Sequence, residues 1–558
     1  MFNSLVESGK LSKDSTLRKF LVKKSAKSTG GVLVITVLTS PWPATNGRVQ
    51  EFSCEWNCYY YPNEPAHKVH ESNICTALPQ VSNSVQGNND TPQPRSYLHD
   101  EPSVLRANRN NFDPVMQFYD RAITLAMNGH PVDKIELLIL GGTWSSYPRD
   151  YQEGFIRDLF YAANTFTFRA NRRAPLSLDE EKRLNESAAC KIIGITLETR
   201  PDCVNFEELK YLRRFGCTRV QLGIQHTDNT ILKKINRGCT TEDAIRAIRL
   251  LKDNCFKIDI HLMPNLPGSS AEKDIEMFNH ILTSEWLQAD QWKIYPCEVT
   301  PWTTIKKWFH AGKFVPYPDQ ELIDVLLDVK SKVHPWIRLN RVIRDIPSQY
   351  IMGGINAPSL RQQLGKILED RGTPCRCIRC REIKGRDFTE HRLFIKQYAA
   401  SGGTEYFISF ENADATTLFG FVRLRLAPNQ CEDVFPELQG AALIRELHVY
   451  GQLIPTSERG SHHTQNIGLG TKLMIEAEKL AVSHGYTHIA VIAGVGVRNY
   501  YRRFGYILMG EGEFMIKKLR KRKATTLTKP PLSISFVYFA FGVLLVALLM
   551  SLRQILRS

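Results

Sequence analysis

The chain has 558 residues, of which 43% are hydrophobic and 23% charged, and its formal net charge is +15. This composition excludes a chain that is disordered throughout, and the length excludes a single domain, since one core rarely serves more than about 300 residues. The excess charge lies at the ends: residues 1–30 carry +5, residues 514–552 carry +7, and residues 31–513 only +1.

The first 30 residues are predicted to form a basic N-terminal arm. Its Lys and Arg side chains alternate with apolar ones such as Leu17, Phe20 and Leu21. The pattern is typical of an amphipathic helix that lies on phosphates, and a solvated cap is the alternative.

Residues 31–335 alternate short apolar runs with helical patterns. After the run at 32–38, similar runs occur at 135–140, 192–197, 219–224 and 257–262. Strands that alternate with helices predict parallel β/α units, with functional residues at the carboxyl ends of the strands. Residues 66–94, which are rich in Asn, Ser, Gln and Pro, are predicted to form an inserted surface loop.

Two groups of cysteines indicate metal chemistry. Three thiolates in a loop after a strand can hold a four-iron cluster that binds S-adenosylmethionine, and here the spacing gives Cys54, Cys58 and then Tyr61. A second group lies in a linker at 336–395 and consists of Cys375, Cys377 and Cys380. It most resembles a structural zinc site with a fourth ligand from elsewhere, for which His334 and His391 are two of many candidates; three free cysteines are the alternative.

Residues 396–519 are predicted to form a separate α+β domain. Strand patterns at 406–410 and 419–426 lead to a glycine loop that contains Gln465, Gly468, Leu469, Gly470 and Thr471 and runs into a helix. Glycines permit a close approach of the backbone, and the N–H groups of a helix start favour a pyrophosphate. An ordinary glycine turn is the alternative.

The C-terminus contains an uncharged stretch of 23 residues between Lys529 and Arg553. At about 1.5 Å per residue this stretch is long enough to cross a membrane, whereas a buried core helix is the alternative. We expect a basic linker at 520–531, a transmembrane tail anchor at 532–552, and catalytic domains in the cytoplasm. The mitochondrial outer membrane and the endoplasmic reticulum both fit this expectation.

Several motifs together resemble one family. They are the Cys54 loop, Arg95-Ser-Tyr97, Gly141-Gly-Thr, Leu197-Glu-Thr-Arg-Pro-Asp202, Gln221-Leu-Gly-Ile-Gln225, Arg341-Val-Ile-Arg-Asp-Ile-Pro347, Glu446-Leu-His-Val and Asn499-Tyr-Tyr-Arg. Over about residues 31–519 the chain is similar to the catalytic subunits of Elongator, which are tRNA uridine acetyltransferases. The resemblance implies a radical S-adenosylmethionine domain at 31–335, folded as a partial TIM-type β/α barrel, and a GNAT acetyltransferase domain at 396–519.

The resemblance also implies a reaction and its partners. Acetyl-CoA supplies an acetyl group, a 5′-deoxyadenosyl radical abstracts hydrogen from its methyl, and the carbon radical adds to C5 of the wobble uridine to give 5-carboxymethyluridine. The implied cofactors are a 4Fe–4S cluster, S-adenosylmethionine and acetyl-CoA. The implied partners are tRNA and Elongator-like subunits or a second copy of the chain.

Residue by residue, the resemblance places acetyl-CoA on matching positions of this chain. The implied acetyl-CoA residues are Lys134, Glu446, Leu447, His448, Val449, Leu469, Gly470, Thr471 and Tyr501. The other candidate cofactor-binding residues are Gln465 and Gly468 of the glycine loop, and Gly141 and Gly142 of the Gly141-Gly-Thr motif. Tyr501 is the candidate acid that protonates the departing thiolate, and Lys134 is the second candidate catalytic residue. Lys134 as a surface cation, and Leu447 and Val449 as core residues, are the alternatives.

Tyr61 is the main departure from the family, whose members have a third cysteine there. A phenol is a poor replacement for a thiolate, so the cluster binds weakly, Cys75 supplies the third ligand, or radical chemistry is lost. Two further functions therefore stay open. One is a protein lysine acetyltransferase that uses only the GNAT domain, and the other is a degenerate, membrane-tethered tRNA-binding protein.

Overall fold

In a computed structural model of the chain, the structure describes residues 8–10, 12, 31–45, 48–49, 51–52, 54–65, 67–68, 90–91, 94–383, 390–427, 434–451 and 468–520. Most of the basic arm and of the inserted loop lie outside these residues, as do Cys75, Gln465 and the segment 532–552. The described residues up to 518 belong to one compact unit, which contains two large sheets.

The first sheet has seven parallel strands that neighbour one another in the order of the chain. They are β1 (Leu33–Leu38), β2 (Lys134–Leu140), β3 (Lys191–Thr199), β4 (Arg219–Gln225), β5 (Lys257–Leu262), β6 (Gln291–Ile294) and β7 (Arg338–Arg341). In the described part of the chain, β1 and β7 form the two edges of this sheet. The sheet confirms the predicted partial barrel of parallel strands.

Helices between the strands cover the outer face of the barrel. They are α1 (Pro102–Arg109), α2 (Pro114–Met127), α3 (Arg149–Thr165), α4 (Leu178–Asn185), α5 (Phe206–Arg214), α6 (Asn229–Lys234), α7 (Thr241–Asp253), α8 (Ala271–Thr283), α9 (Thr304–His310), α10 (Asp319–Lys332), α11 (Leu360–Asp370) and α12 (Ile378–Arg381). In β2, Ile135, Leu137 and Ile139 pack into the core under these helices, whereas the alternate residues face the barrel interior. Alternation along β2 therefore separates an apolar outer face from a more polar inner one.

The second sheet also has seven strands, and it is mixed. They are β8 (Arg392–Ala400), β9 (Gly403–Glu411), β10 (Leu418–Leu426), β11 (Ala441–Val449), β12 (His488–Val491), β13 (Ile507–Met509) and β14 (Phe514–Lys518), with β14 between β12 and β13. The described helices of this part are α13 (Leu469–Ser483) and α14 (Arg498–Arg502). Among the described pairs of this sheet, only β11 and β12 run parallel.

Eight buried charged side chains join the two sheets. The first sheet and its helices supply Lys252, Asp253 and Asp290, and the second sheet supplies Glu405, Arg423, Arg425, Arg445 and Glu446. Arg445 Nη1 lies 2.8 Å from Asp290 Oδ2, and Lys252 Nζ lies 3.0 Å from Glu405 Oε1. We call these eight residues the ionic seam; it contains four cations and four anions.

The predicted transmembrane tail anchor, and the membrane location that depended on it, are corrected here. In the ranges that the structure describes, no helix combines the length and the apolar character needed to cross a bilayer. The expected span at 532–552 lies outside those ranges, so the anchor and the membrane contact have no support from the fold.

Candidate active site

The loop after β1 carries the two predicted cluster cysteines. Cys58 is buried and Cys54 is half-buried. The backbone N–H of Tyr61 donates to the carbonyl of Cys58 over 3.1 Å, which closes a turn and holds the tyrosine beside this cysteine. Cys54 and Tyr61 line a small cavity of about 20 Å³ together with Gly142 and Arg200, at the carboxyl ends of the strands.

The surroundings of Cys58 are cationic. Arg237 Nη1 lies 3.6 Å and Arg200 Nη1 4.0 Å from its sulfur. Tyr61 packs on Tyr60 with ring centroids 4.5 Å apart, and burial raises the pKa of Tyr61 to about 12 although Arg237 lowers it. The phenol is therefore protonated at neutral pH and would have to lose this proton to ligate iron, for which a phenolate is a poorer cluster ligand than a thiolate.

A three-thiolate cluster does not fit these residues. Throughout the described ranges, the one trio of Cys, His or carboxylate groups with ligand atoms within 4.8 Å of one another is the linker group at Cys375. Cys54 and Cys58 thus have no such third ligand there, and Cys75 lies outside the described residues.

Gly141 and Gly142 end β2 in a conformation that side chains rarely adopt. Their φ angles are +135° and +110°, and a Cβ on Gly141 would lie 1.9 Å from Thr39 Oγ1. A Cβ on Gly142 would lie 3.0 Å from the ring of Phe52. The two glycines therefore allow the cysteine loop to approach the end of β2 closely.

A larger cavity of about 310 Å³ opens at the same end of the barrel. Leu138 and Leu140 of β2 form an apolar part of its wall, and Arg341 and Arg344 contribute charge. The other polar side chains in its lining include Glu198, Gln225, His261, Lys293 and Glu298. Its size and its mixed lining are typical of small-molecule sites.

Two residues of this cavity are in unusual states. Gln225 has φ +73°, a left-handed conformation that is costly for a side chain and is often found at ligand sites. Burial, reinforced by the charge of Lys293, lowers the pKa of His261 well below its ordinary value. His261 is therefore neutral, with Nδ1 3.7 Å from a carboxylate oxygen of Glu198.

The polar barrel interior continues from the cavity towards the second sheet. Glu136 of β2, two residues from Leu138, forms an ion pair of 2.5 Å with Arg219. Burial raises the pKa of Glu136, but Arg219 and Lys257 together with His448 of β11 bring it below its ordinary value, and Glu446 of β11 is close enough to oppose them. Polar side chains therefore lie between the cavity wall at Leu138 and β11.

β11 and β12 separate half-way along β11. Residues 441–444 pair with 488–491, whereas the described neighbour of 446–449 in the sheet is β10. The predicted acetyl-CoA strand, Glu446 to Val449, is thus half-buried next to the point of separation. This is the position at which the GNAT resemblance places the pantetheine chain.

α13 begins at the predicted glycine loop. Gly468 precedes the helix with φ +78°, Leu469 is fully buried, and Thr471 is exposed. A Cβ on Gly470 would lie 2.6 Å from the hydroxyl of Tyr500, so a glycine is needed for this contact. The structure brings Gly468 to Thr471 and Tyr500 together, and Gln465 lies outside the described residues.

Tyr501 lies on α14, and Lys134 lies at the end of the barrel near the turn that precedes this helix. Tyr501 is buried, which raises the pKa of its phenol. Lys134 begins β2 and pairs in register with Lys191, which packs against the Val495–Val497 turn just before α14. Burial lowers the pKa of Lys134. Lys134 therefore lies at the opposite end of β2 from Gly141.

The linker cysteines form a compact trio. The sulfurs of Cys375, Cys377 and Cys380 lie within 4.8 Å of one another. Hydrogen bonds from Cys375 and Cys380 lower the pKa of Cys377 well below its ordinary value. Three thiolates fit a zinc ion. His334, one of the candidates for the fourth ligand, contacts the carbonyl of Leu282 at 2.9 Å.

Comparisons with known proteins agree with this architecture. Residues 111–280 match the Radical SAM superfamily, and residues 289–370 match the Radical_SAM C-terminal domain. A tRNA uridine(34) acetyltransferase of Dehalococcoides mccartyi is 37% identical over 88% of this chain and 98% of that protein. Elongator complex protein 3 of Danio rerio is 35% identical over 82% of each chain.

A solved structure of the archaeal Methanocaldococcus infernus Elp3 with an N-terminal deletion is also similar, with a TM-score of 0.70 and 33% identity over 88% of this chain and all of that one. The fold and these matches define a radical SAM enzyme, a class that implies a 4Fe–4S cluster and S-adenosylmethionine. Within that class, the chain belongs to the family of tRNA uridine(34) acetyltransferases and Elongator complex protein 3.

Sequence reasoning missed several residues of the site. Arg237, His261, Glu298 and Tyr500 were not singled out, although His261 lies on a predicted strand and Tyr500 lies beside Tyr501. Position at the carboxyl end of a strand was the only available signal for the barrel residues. It does not show which side chains face the interior.

Proposed function

We propose that this protein modifies the wobble uridine of tRNA in a reaction that consumes acetyl-CoA. Relatives named tRNA uridine(34) acetyltransferase, one of which aligns over 98% of its length, support the proposal. The observation that carries it is the polar barrel interior between the cavity and β11. A substrate base in the cavity and an acetyl group at β11 would face the same interior.

The second sheet would hold acetyl-CoA. The amino-terminal turn of α13, at Gly468 to Thr471, would bind the pyrophosphate, because N–H groups at a helix start favour anions. The Glu446 to Val449 segment would carry the pantetheine chain. Burial raises the pKa of both Tyr500 and Tyr501, so each is a protonated donor for the departing thiolate.

The Cys54 loop would hold the cluster and S-adenosylmethionine that the radical SAM class implies, and their chemistry when bound would be radical formation. The described residues offer two thiolates and a phenol at this loop, so thioester cleavage that depends on tRNA is the step that they alone support. Formation of 5-carboxymethyluridine would require a third ligand from outside the described residues, for which Cys75 is the candidate.

Release of the coenzyme A thiol from acetyl-CoA tests the proposal. The full chain is incubated with acetyl-CoA alone, with a tRNA that has uridine at position 34, and with the same tRNA carrying cytidine there. We expect release to rise several-fold with the uridine-34 tRNA only. No stimulation by any tRNA, together with acetylation of a lysine peptide, would contradict the proposal and favour the lysine acetyltransferase.

A further inference from the structure

The large cavity contains buried polar atoms that have no hydrogen-bond partner among the described residues. They include both carboxyl oxygens of Glu298, Oε1 of Gln225 and Nε2 of His261; the hydroxyl of Tyr60 and Nε of Arg106 are two more. Glu298 is only 7% exposed, so its carboxyl has little contact with bulk solvent. A buried polar group left without a hydrogen bond costs about 1–3 kcal/mol, and several residues with such atoms in one cavity indicate a ligand that completes them.

The backbone holds Glu298 firmly in this position. The next residue, Val299, donates its N–H to the carbonyl of Gly353 over 2.9 Å, and Met352 donates to the carbonyl of Val299 over 2.8 Å. Gly354 has φ +92°, and a Cβ there would lie 3.4 Å from the Cα of Glu298. The unpaired carboxyl is thus part of a built wall.

The protonation state of Glu298 defines which ligand it can bind. Burial raises the pKa of Glu298 to about 8, although the cation of Arg344 opposes this shift. At neutral pH the side chain is therefore mainly a carboxylic acid, with one O–H donor and one C=O acceptor side by side. The other titratable and charged groups around the cavity are Tyr60, Tyr61, Tyr97, Glu101, Arg106, Arg121, Glu198, His261, Lys293, Tyr295, Arg341 and Asp345, and Cys297 precedes Glu298 in the chain.

We propose that the cavity receives the base of the target uridine and that the neutral carboxyl of Glu298 pairs with its imide edge. The O–H would donate to a ring carbonyl, and the C=O would accept from N3–H. This inference rests on the proposed function and names the positioning residue for its substrate. Arg106, Arg121 and Arg341 also line the cavity and are suited to the phosphates of an RNA strand.

Binding of short RNAs tests this inference. The full chain is titrated with an anticodon stem-loop that has uridine at position 34 and with one that is abasic there. The ratio of the two dissociation constants isolates the contribution of the base. Wild type is compared with Glu298→Gln, whose amide keeps the donor and acceptor but does not ionise, and with Glu298→Leu, after circular dichroism has confirmed that all three melt alike.

In wild type we expect the preference for uridine to fall about tenfold between pH 7 and pH 9, because the carboxyl ionises through its pKa. The Gln variant should keep its preference for uridine over this range. Any fall in preference that this variant does show measures ionisation of the base itself. The Leu variant should have little preference at either pH. If wild type and the Leu variant prefer uridine equally, this inference is wrong while the proposed function stands; if neither RNA binds, both fail.

Discussion

Replacement of Asp290 by asparagine should destabilise the whole compact unit. Asp290 is 0% exposed, and its carboxylate accepts from Arg445 Nη1 at 2.8 Å and lies 3.7 Å from Arg423 and 3.9 Å from Lys252. Asparagine keeps the size of the side chain but leaves the ionic seam with one uncompensated cation. Breaking a buried ion pair in this way costs about 3–5 kcal/mol.

Urea denaturation, followed by tryptophan fluorescence and circular dichroism, measures this loss in the free energy of unfolding. Asp328→Asn is the matched control, since its ion pair with Lys332 is partly exposed and should contribute less than about 1 kcal/mol. Burial alone would raise the pKa of Asp290. The nearby cations, chiefly Arg445 and Lys252, outweigh burial and hold this pKa well below its ordinary value. The stabilisation is therefore present above the unfolded pKa of about 4 and is lost as the pH falls below it.

Asp290→Asn should accordingly lose less stability than wild type between pH 5 and pH 3. An Asp290→Asn variant that is as stable as Asp328→Asn at neutral pH would refute the reasoning. The buried charge of Asp290 would then contribute no more to the free energy of unfolding than a partly exposed one. Separate transitions for the two sheets in wild type would refute it too.

Three more predictions follow from the site. Tyr61→Cys should bind an iron–sulfur cluster after anaerobic reconstitution, seen as absorbance near 400 nm, whereas wild type should bind at most a weak one; equal clusters in both would show that a third ligand already exists. Cys377→Ser should reduce the bound zinc from about one ion per chain to near zero and lower the melting temperature, and a zinc-free wild type would contradict this. Tyr500→Phe and Tyr501→Phe, compared at equal stability, should each leave tRNA binding intact, and the one that supplies the proton should slow thiol release by about 10²-fold or more.

The apolar strands of the barrel could be predicted from the sequence, and the polar ones could not. The run at 257–262 matches β5, and the run at 135–140 matches β2 to within one residue. β6 and β7 were missed because they contain Lys293, Arg338 and Asn340, whose side chains form part of the polar interior instead of an apolar core.

The candidate site was only partly predictable for a similar reason. Motif resemblance led to the Cys54 loop and to α13, since these are contiguous in sequence. Glu298 has no neighbouring motif, and its significance depends on burial and on unpaired oxygens, which only the folded cavity shows. The apolar C-terminal stretch shows the opposite error, because hydrophobicity alone led us to a membrane anchor that the described structure does not support.

The sequential order of the seven barrel strands has a consequence for synthesis of the chain. Each strand can pair with the one made just before it, so the barrel grows by addition at one edge and needs no later segment to insert between earlier ones. The cavity, however, takes side chains from β1 through Ile346, and it is complete only when the chain as far as Ile346 has left the ribosome. Until the second sheet follows, the barrel half of the ionic seam faces water as charged groups, which protects the growing barrel from aggregation at that surface.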